Sequence, residues 1–246
     1  MGKSTGIGSV AILEQALSEG KTMGFRNRVT RRDVLRAVGS AAGFCLVPTA
    51  AWPGEKALQL TPDQTDGPFY PVTIPLDNDN DLVSIAGRPE KANGIITNVL
   101  GRVIDDRGRP ISQAQVEIWQ CDANSRYHHP GDKREGPRDE NFQGFGRYTA
   151  GDDGAYRFRT IKPVPYPGRT PHIHFKIKGP GIESLSTQLY VAGEPRNAKD
   201  RLYNNIKDEA ARKSVTVPFN DDPRGTGELL AYFEIVLAAD GRYEHS

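Results

Sequence analysis

A chain of 246 residues, 37% hydrophobic and 26% charged, can bury the core of one domain and is too apolar for whole-chain disorder. Its 32 Lys and Arg against 31 Asp and Glu leave a formal charge of +1, which argues against bulk electrostatic recognition of nucleic acid or an anionic membrane. Two cysteines, Cys45 and Cys121, give neither a disulfide framework nor a zinc-type cysteine spacing.

Residues 26–52 read RNRVTRRDVLRAVGSAAGFCLVPTAAW. A basic stretch ending in Arg31-Arg32 precedes an apolar, small-residue run from Ala37 to Pro48, followed by Thr49, Ala50 and Ala51. That order is the layout of a signal peptide, and the run is too short to span a bilayer. TRRDVL resembles a twin-arginine export signal, with Val34 where phenylalanine is usual. The expectation is an exported mature chain, periplasmic or extracellular, with residues 1–52 as the signal segment. Met23 is an alternative start. The competing reading is an amphipathic N-terminal helix in a cytoplasmic protein.

Residues 53–246 read as one all-β domain, an antiparallel β-sandwich with long loops. Thr61–Leu82 is expected as an extended arm across it. Ile95–Asp105 and Ala114–Gln120 flank the turn DRGRP, Asp106 to Pro110. Tyr156–Ile161 follows GDDG, Gly151 to Gly154, a hairpin-type signal. His172–Gly179, Ser186–Gly193, Lys213–Phe219 and Leu229–Ala238 complete the strands, and only Ala198–Lys213 has a weak helical pattern. Many short strands without intervening helices indicate a sandwich or barrel rather than a parallel α/β sheet.

The chain has five histidines, and two of them stand one residue apart in PYPGRTPHIHF. Side chains on a strand alternate faces, so His172 and His174 share one side, about 7 Å apart along the strand. Two such imidazoles can converge on a metal or be satisfied histidines on a half-buried face. Tyr166 and Arg169 lie in the Pro- and Gly-rich loop leading into that strand, and Tyr127 lies in another loop, RYHHP. Neutral imidazole is a general transition-metal ligand. A phenolate needs a pKa lowered from about 10, which a strongly Lewis-acidic ion supplies by coordination.

These residues resemble those of the intradiol ring-cleavage dioxygenases, the family of protocatechuate 3,4-dioxygenase and catechol 1,2-dioxygenase. The resemblance rests on QTDGPFYP (Gln64–Pro71), GRVIDDRGRPISQAQVEIWQCDANSRYHH (Gly101–His129), FRTIKPVPYPGRTPHIHFKI (Phe158–Ile177) and STQLYVAGEP (Ser186–Pro195). It implies a mononuclear, non-haem Fe(III) held by Tyr127, Tyr166, His172 and His174, with Tyr166 the ligand that leaves when a catechol-type substrate binds. It also implies a substrate-facing role for Arg169 and Gln188, and O2-dependent ring opening between the two hydroxyl-bearing carbons to a muconate-type dicarboxylate. His128 and His129 are expected beside the site rather than on the metal, and Trp119 and Tyr156 in the core. Gly168 stands where protocatechuate enzymes carry a bulky aromatic, which implies a more open pocket.

Two rival readings remain at this point. GRVIDDRGRPISQAQVEIW resembles the start of transthyretin-like and carboxypeptidase-regulatory-like β-sandwiches, which are non-enzymatic binding modules. A copper or Fe(II) enzyme would instead use His128, His129, His172 and His174. The expected partners are a small catechol-type molecule and O2, with a homo-oligomer allowed. Neither nucleic acid nor stable membrane insertion of the mature chain is expected.

Overall fold

The computed structural model describes residues 57–179 and 181–240. The export-signal reading of residues 1–52 lies outside them. The described residues are mostly β, in two five-stranded sheets. One contains β1 (Ile96–Asp105), β4 (Ala155–Ile161), β8 (Asn220–Asp221), β9 (Leu229–Tyr232) and β10 (Ile235–Leu237). The other has the order β3 (Phe145–Thr149), β2 (Gln115–Trp119), β5 (His172–Gly179), β6 (Ile182–Val191) and β7 (Thr216–Val217).

The sheets are mixed, which corrects the expectation of purely antiparallel pairing. β9 and β10 both run parallel to β1, and β7 runs parallel to β6. Alternating side chains specify which face of a strand is buried and carry no information on the direction of its neighbour. The two turn signals also join different structures from those expected. The strand before GDDG, β3, pairs with β2, whereas β4 pairs with β1. Likewise β1 and β2, on either side of DRGRP, belong to different sheets. Both turns reverse the chain, but the buried faces on each side carry it across from one sheet to the other.

One apolar core is common to both sheets. Val99, Val103 and Phe158 of the first meet Ile118, Ile173, Phe175 and Ile177 of the second. Phe175 and Phe233 lie edge to face at 5.0 Å. The run Leu229–Ala238 is broken at Phe233, whose carbonyl turns to accept from the Tyr156 hydroxyl at 2.6 Å. Gly101 makes room for that contact, since a Cβ there would stand 1.8 Å from the Phe233 oxygen. Tyr156 is therefore the core aromatic it was expected to be.

The other face of the second sheet carries His172, His174, Lys176 and Lys178 of β5, Glu117 and Trp119 of β2, and Gln188 and Tyr190 of β6, by the register of these strands. Such a polar row needs cover, and the arm provides it. Gln64 N donates to Ser186 O, and Lys176 Nζ to Asp66 at 2.6 Å. Glu117 is fully buried on this face and accepts from Tyr70, Arg147 and Lys178 at 2.8, 2.8 and 2.9 Å. Burial pushes its pKa up, but these donors outweigh that and hold the carboxyl below its ordinary value.

The weakly helical stretch is three short pieces: a 3-10 turn at Pro195–Lys199, α1 (Arg201–Asn205) and α2 (Glu209–Ser214). Asp200 and Asp208 interrupt it because each caps the next helix, accepting from Tyr203 N at 3.0 Å and Ala211 N at 2.7 Å. No helix among the described residues is long and apolar enough to cross a membrane.

Candidate metal centre

β5 begins at His172, and its two-residue period brings the imidazoles of His172 and His174 together with Nε2 atoms 3.2 Å apart. Both side chains are buried. The Thr170 carbonyl lies 2.6 Å from His172 Nδ1, so that nitrogen carries the proton and Nε2 keeps its lone pair. Trp119, opposite His174 in the β2–β5 register, stacks on its ring at 4.8 Å and 8°. Trp119 is thus the buried core aromatic it was expected to be, in a second cluster with Cys121, Tyr127 and Phe145, and it also fixes the plane of His174. Gly67 of the arm closes the other approach. Its φ is +70°, and a Cβ there would come within 3.3 Å of His174 Cε1.

Tyr127 reaches the same place from the loop after β2. Asp122 organises that loop by accepting from the amides of Asn124, Arg126 and Asp139, and the buried Asp132 accepts from Tyr127 N at 2.7 Å. The Tyr127 ring stacks on Phe69 of the arm at 4.6 Å and meets the rings of Tyr166 and His174 at 5.7 and 6.4 Å. Its hydroxyl is buried with no hydrogen-bond partner.

Tyr166 and Arg169 occupy the ends of a tight turn, Arg169 N donating to Tyr166 O at 2.9 Å. Pro167 and Gly168, the latter at φ +81°, suit the two central positions of a type II turn. Ser125 Oγ donates to Pro165 O at 2.7 Å and ties this turn to the Tyr127 loop. The Tyr166 and His172 ring centroids are 5.4 Å apart. Arg169 Nε donates to the buried Asp200 at 2.8 Å, Nη2 to Gln188 Oε1 at 2.5 Å and Nη1 toward Tyr166 Oη at 3.4 Å. Gln188, opposite His174 on β6, also donates to Thr65 O in the arm. All six residues singled out by the sequence, Tyr127, Tyr166, Arg169, His172, His174 and Gln188, thus border one site.

The electrostatics describe a dry pocket of neutral donors. Burial lowers the pKa of His172 to about 3 and that of His174 well below its ordinary value, with Arg169 adding to both. Burial raises the phenols of Tyr127 and Tyr166, although Arg169 opposes it at Tyr166. A buried hydroxyl without a partner costs about 1–3 kcal/mol. An unpartnered phenol oxygen beside two converging imidazole nitrogens fits a Lewis-acidic cation that would ionise the phenols, so the residues present suit ferric iron.

His128 and His129 make contacts of their own in the loop after β2. His128 Nε2 is 3.8 Å from Asp122 Oδ2, and His129 Nδ1 accepts from Gly131 N at 2.9 Å. Among the described residues, no group of three or more His, Cys, Asp or Glu is placed to hold a metal, so the four-histidine reading has no site. Cys121 is buried and unpaired, its thiol pushed up to about 12 by burial and by Asp122.

A family described as Dioxygenase matches residues 65–239. The chain is 40% identical over 168 residues to the protocatechuate 3,4-dioxygenase beta chain of Burkholderia cepacia, covering 65% of this chain and 71% of that one. It is 27% identical over 199 residues to catechol 1,2-dioxygenase of Candida albicans, covering 73% of this chain and 63% of that enzyme, less than two thirds of its length. Among solved structures, the dioxygenase domain of a dioxygenase carbohydrate-binding protein fusion from Streptomyces sp. SirexAA-E aligns with a TM-score of 0.58 and 30% identity, over 73% of this chain and 99% of that one.

Proposed function

The chain belongs to the intradiol ring-cleavage dioxygenases, and we propose that Tyr127, Tyr166, His172 and His174 hold one ferric ion at which a catechol-type ring is opened by O2 between its hydroxyl-bearing carbons. The observation that carries the ligand assignment is the meeting of His172 Nε2 and His174 Nε2 at 3.2 Å beside a Tyr127 hydroxyl that is buried and unpartnered. Bound ferric iron supplies the Lewis acidity that ionises the phenols and a chelated diol and renders the ring electron-rich toward O2. A binding module needs no such set, so the rival β-sandwich reading is not favoured.

The protein's own groups divide the remaining work. Tyr127 is buried and, with Phe69, Trp119, His128 and His129, borders a cavity of about 380 Å³, whereas Tyr166 lines a more open cavity of about 410 Å³ with Arg169, Arg196, Lys199 and Asp200. The positive charge of Arg169, Arg196 and Lys199 favours substrate entry on the Tyr166 side, where Tyr166 Oη would accept a substrate hydroxyl proton. Arg169, fixed by Asp200 and Gln188, holds a rigid positive charge beside that oxygen and stabilises negative charge on the bound ring. Trp119 and Gly67 pack against the His174 ring and hold its position.

The cavity also bears on the ring substituent. Arg196 and Lys199 are exposed at its wall, Arg196 pairing with Glu194 at 3.4 Å and Lys199 making no ion pair among the described residues, and Asp200 is already engaged by Arg169, Thr170 N and Tyr203 N. A Cβ on Gly168 would meet nothing within 4 Å, which agrees with an open mouth. These features favour a catechol with an acidic substituent. Oxygen uptake by iron-loaded protein on catechol, hydroxyquinol and protocatechuate, with product identification, tests both statements. Intradiol products with protocatechuate preferred are expected, and combining Arg196→Ala with Lys199→Ala should cut that preference roughly fivefold. Ring opening outside the diol would contradict the reaction. An unchanged preference would contradict only the role of the cationic wall. Export of the mature chain is proposed from the layout of residues 26–52 alone.

A further inference from the structure

Arg134 stands in the loop that carries Tyr127 and has no role in the site as described so far. Its guanidinium carbon lies 4.8 Å from the centroid of the Tyr166 ring, 5.7 Å from Phe69 and 5.9 Å from Tyr127. All three are within cation–π reach of about 6 Å, and the nearest is a proposed metal ligand. The guanidinium is held there from below. Nε and Nη2 bind the two oxygens of Asp132 at 2.9 and 2.5 Å, and the Asp132 carboxylate is fully buried. Asp132 in turn accepts from Tyr127 N, so one carboxylate fixes both the cation and the loop bearing the second phenol.

The remaining nitrogen supplies an independent observation. Arg134 Nη1 is buried and donates to no nitrogen or oxygen acceptor. A guanidinium pinned on one edge by a carboxylate, with its free edge among three aromatic rings, uses their π faces in place of an oxygen acceptor. Such a cation matters most to a ring that carries negative charge.

We infer that Arg134 is a positioning and electrostatic residue that holds the Tyr166 ring against the metal site and stabilises the electrons of its phenolate. The inference rests on the reading of Tyr166 as an iron ligand. A positive charge over the phenolate lowers the energy of its donor orbital, so phenolate-to-iron charge transfer moves to higher energy while the charge is present. Removing the charge moves the band to longer wavelength and weakens the ligand's hold on iron. A clamp that only braced the loop through Asp132 would change stability and leave the band in place.

Arg134→Gln keeps a hydrogen-bond donor for Asp132 and removes the charge, whereas Arg134→Lys keeps the charge and loses the planar face. Both are compared with the unaltered protein as iron-loaded full chains, by visible absorption and by iron competition against a chelator. Denaturation of the metal-free forms records folding separately. The Gln variant is expected to absorb at longer wavelength and bind iron about 2- to 30-fold more weakly, and the Lys variant to shift less in the same direction. A folded Gln variant with band and affinity unmoved overturns the inference. If the Gln variant does not fold, Arg134→Met is measured in its place, and a folded Met variant with band and affinity unmoved overturns the inference. An unaltered protein that binds iron without colour fails the ligand assignment itself, a different outcome from a coloured protein whose band ignores Arg134.

Discussion

Tyr127→Phe is expected to lower iron affinity by more than about 100-fold, since loss of a group that merely supports a ligand already costs 10- to 100-fold. The same substitution is expected to leave the metal-free fold intact, or to stabilise it by about 1 kcal/mol. The two effects have one cause. The Tyr127 hydroxyl is buried with no hydrogen-bond partner, so removing it relieves a desolvated polar atom in the apoprotein and removes a donor in the iron form. Its ring, stacked on Phe69 at 4.6 Å, keeps its packing as phenylalanine. Chelator competition and denaturation of the metal-free protein measure the two quantities separately. Lower stability with unchanged iron affinity would make Tyr127 a structural residue and remove it from the ligand set.

Arg169→Met is expected to reduce kcat/KM by about 100- to 1000-fold, the usual loss when a fixed donor to developing negative charge is deleted. It is also expected to destabilise the fold, because Asp200 is fully buried and loses its charged partner, a change that typically costs about 3–5 kcal/mol. Amide donors from Thr170 and Tyr203 remain on Asp200 and place the cost toward the lower end. Adding Asp200→Asn separates the two roles. The double variant is expected to regain much of the stability, since no buried charge is left unpaired, while turnover stays low. Recovery of turnover with stability would assign Arg169 to structure alone. The pairing with Asp200 was not legible in the chain: Arg169 is recognisable three residues before His172, but its partner lies 31 positions away.

What the sequence revealed follows from which constraints are local. The His-x-His pair was legible because strand parity alone puts His172 and His174 on one face. The loop carrying Tyr166 and Arg169 was legible from its prolines and glycine, whereas the tight turn at Pro167 and Gly168 emerged only with the backbone. β3 was missed because Phe145–Thr149 is five residues long and includes a glycine, too little for an alternating pattern to register. The stacking of Trp119 on His174 depends on β2–β5 register, which parity within one strand does not determine. Arg134 and Asp132 escaped notice for a related reason. A loop between Gln120 and Phe145 has no periodicity to read, and its shape is set by carboxylates accepting backbone amides. The candidate ligands were therefore visible in the chain, while the residues that pack against them became visible only with the fold.

The most direct test of the centre is titration of the metal-free protein with ferric iron, followed by visible absorption. Two phenolates and two imidazoles on one ion require a phenolate-to-iron charge-transfer band that grows linearly and saturates at one iron per chain. Uptake of one iron without such a band, or a band that needs more than one iron to develop, would contradict the proposed site.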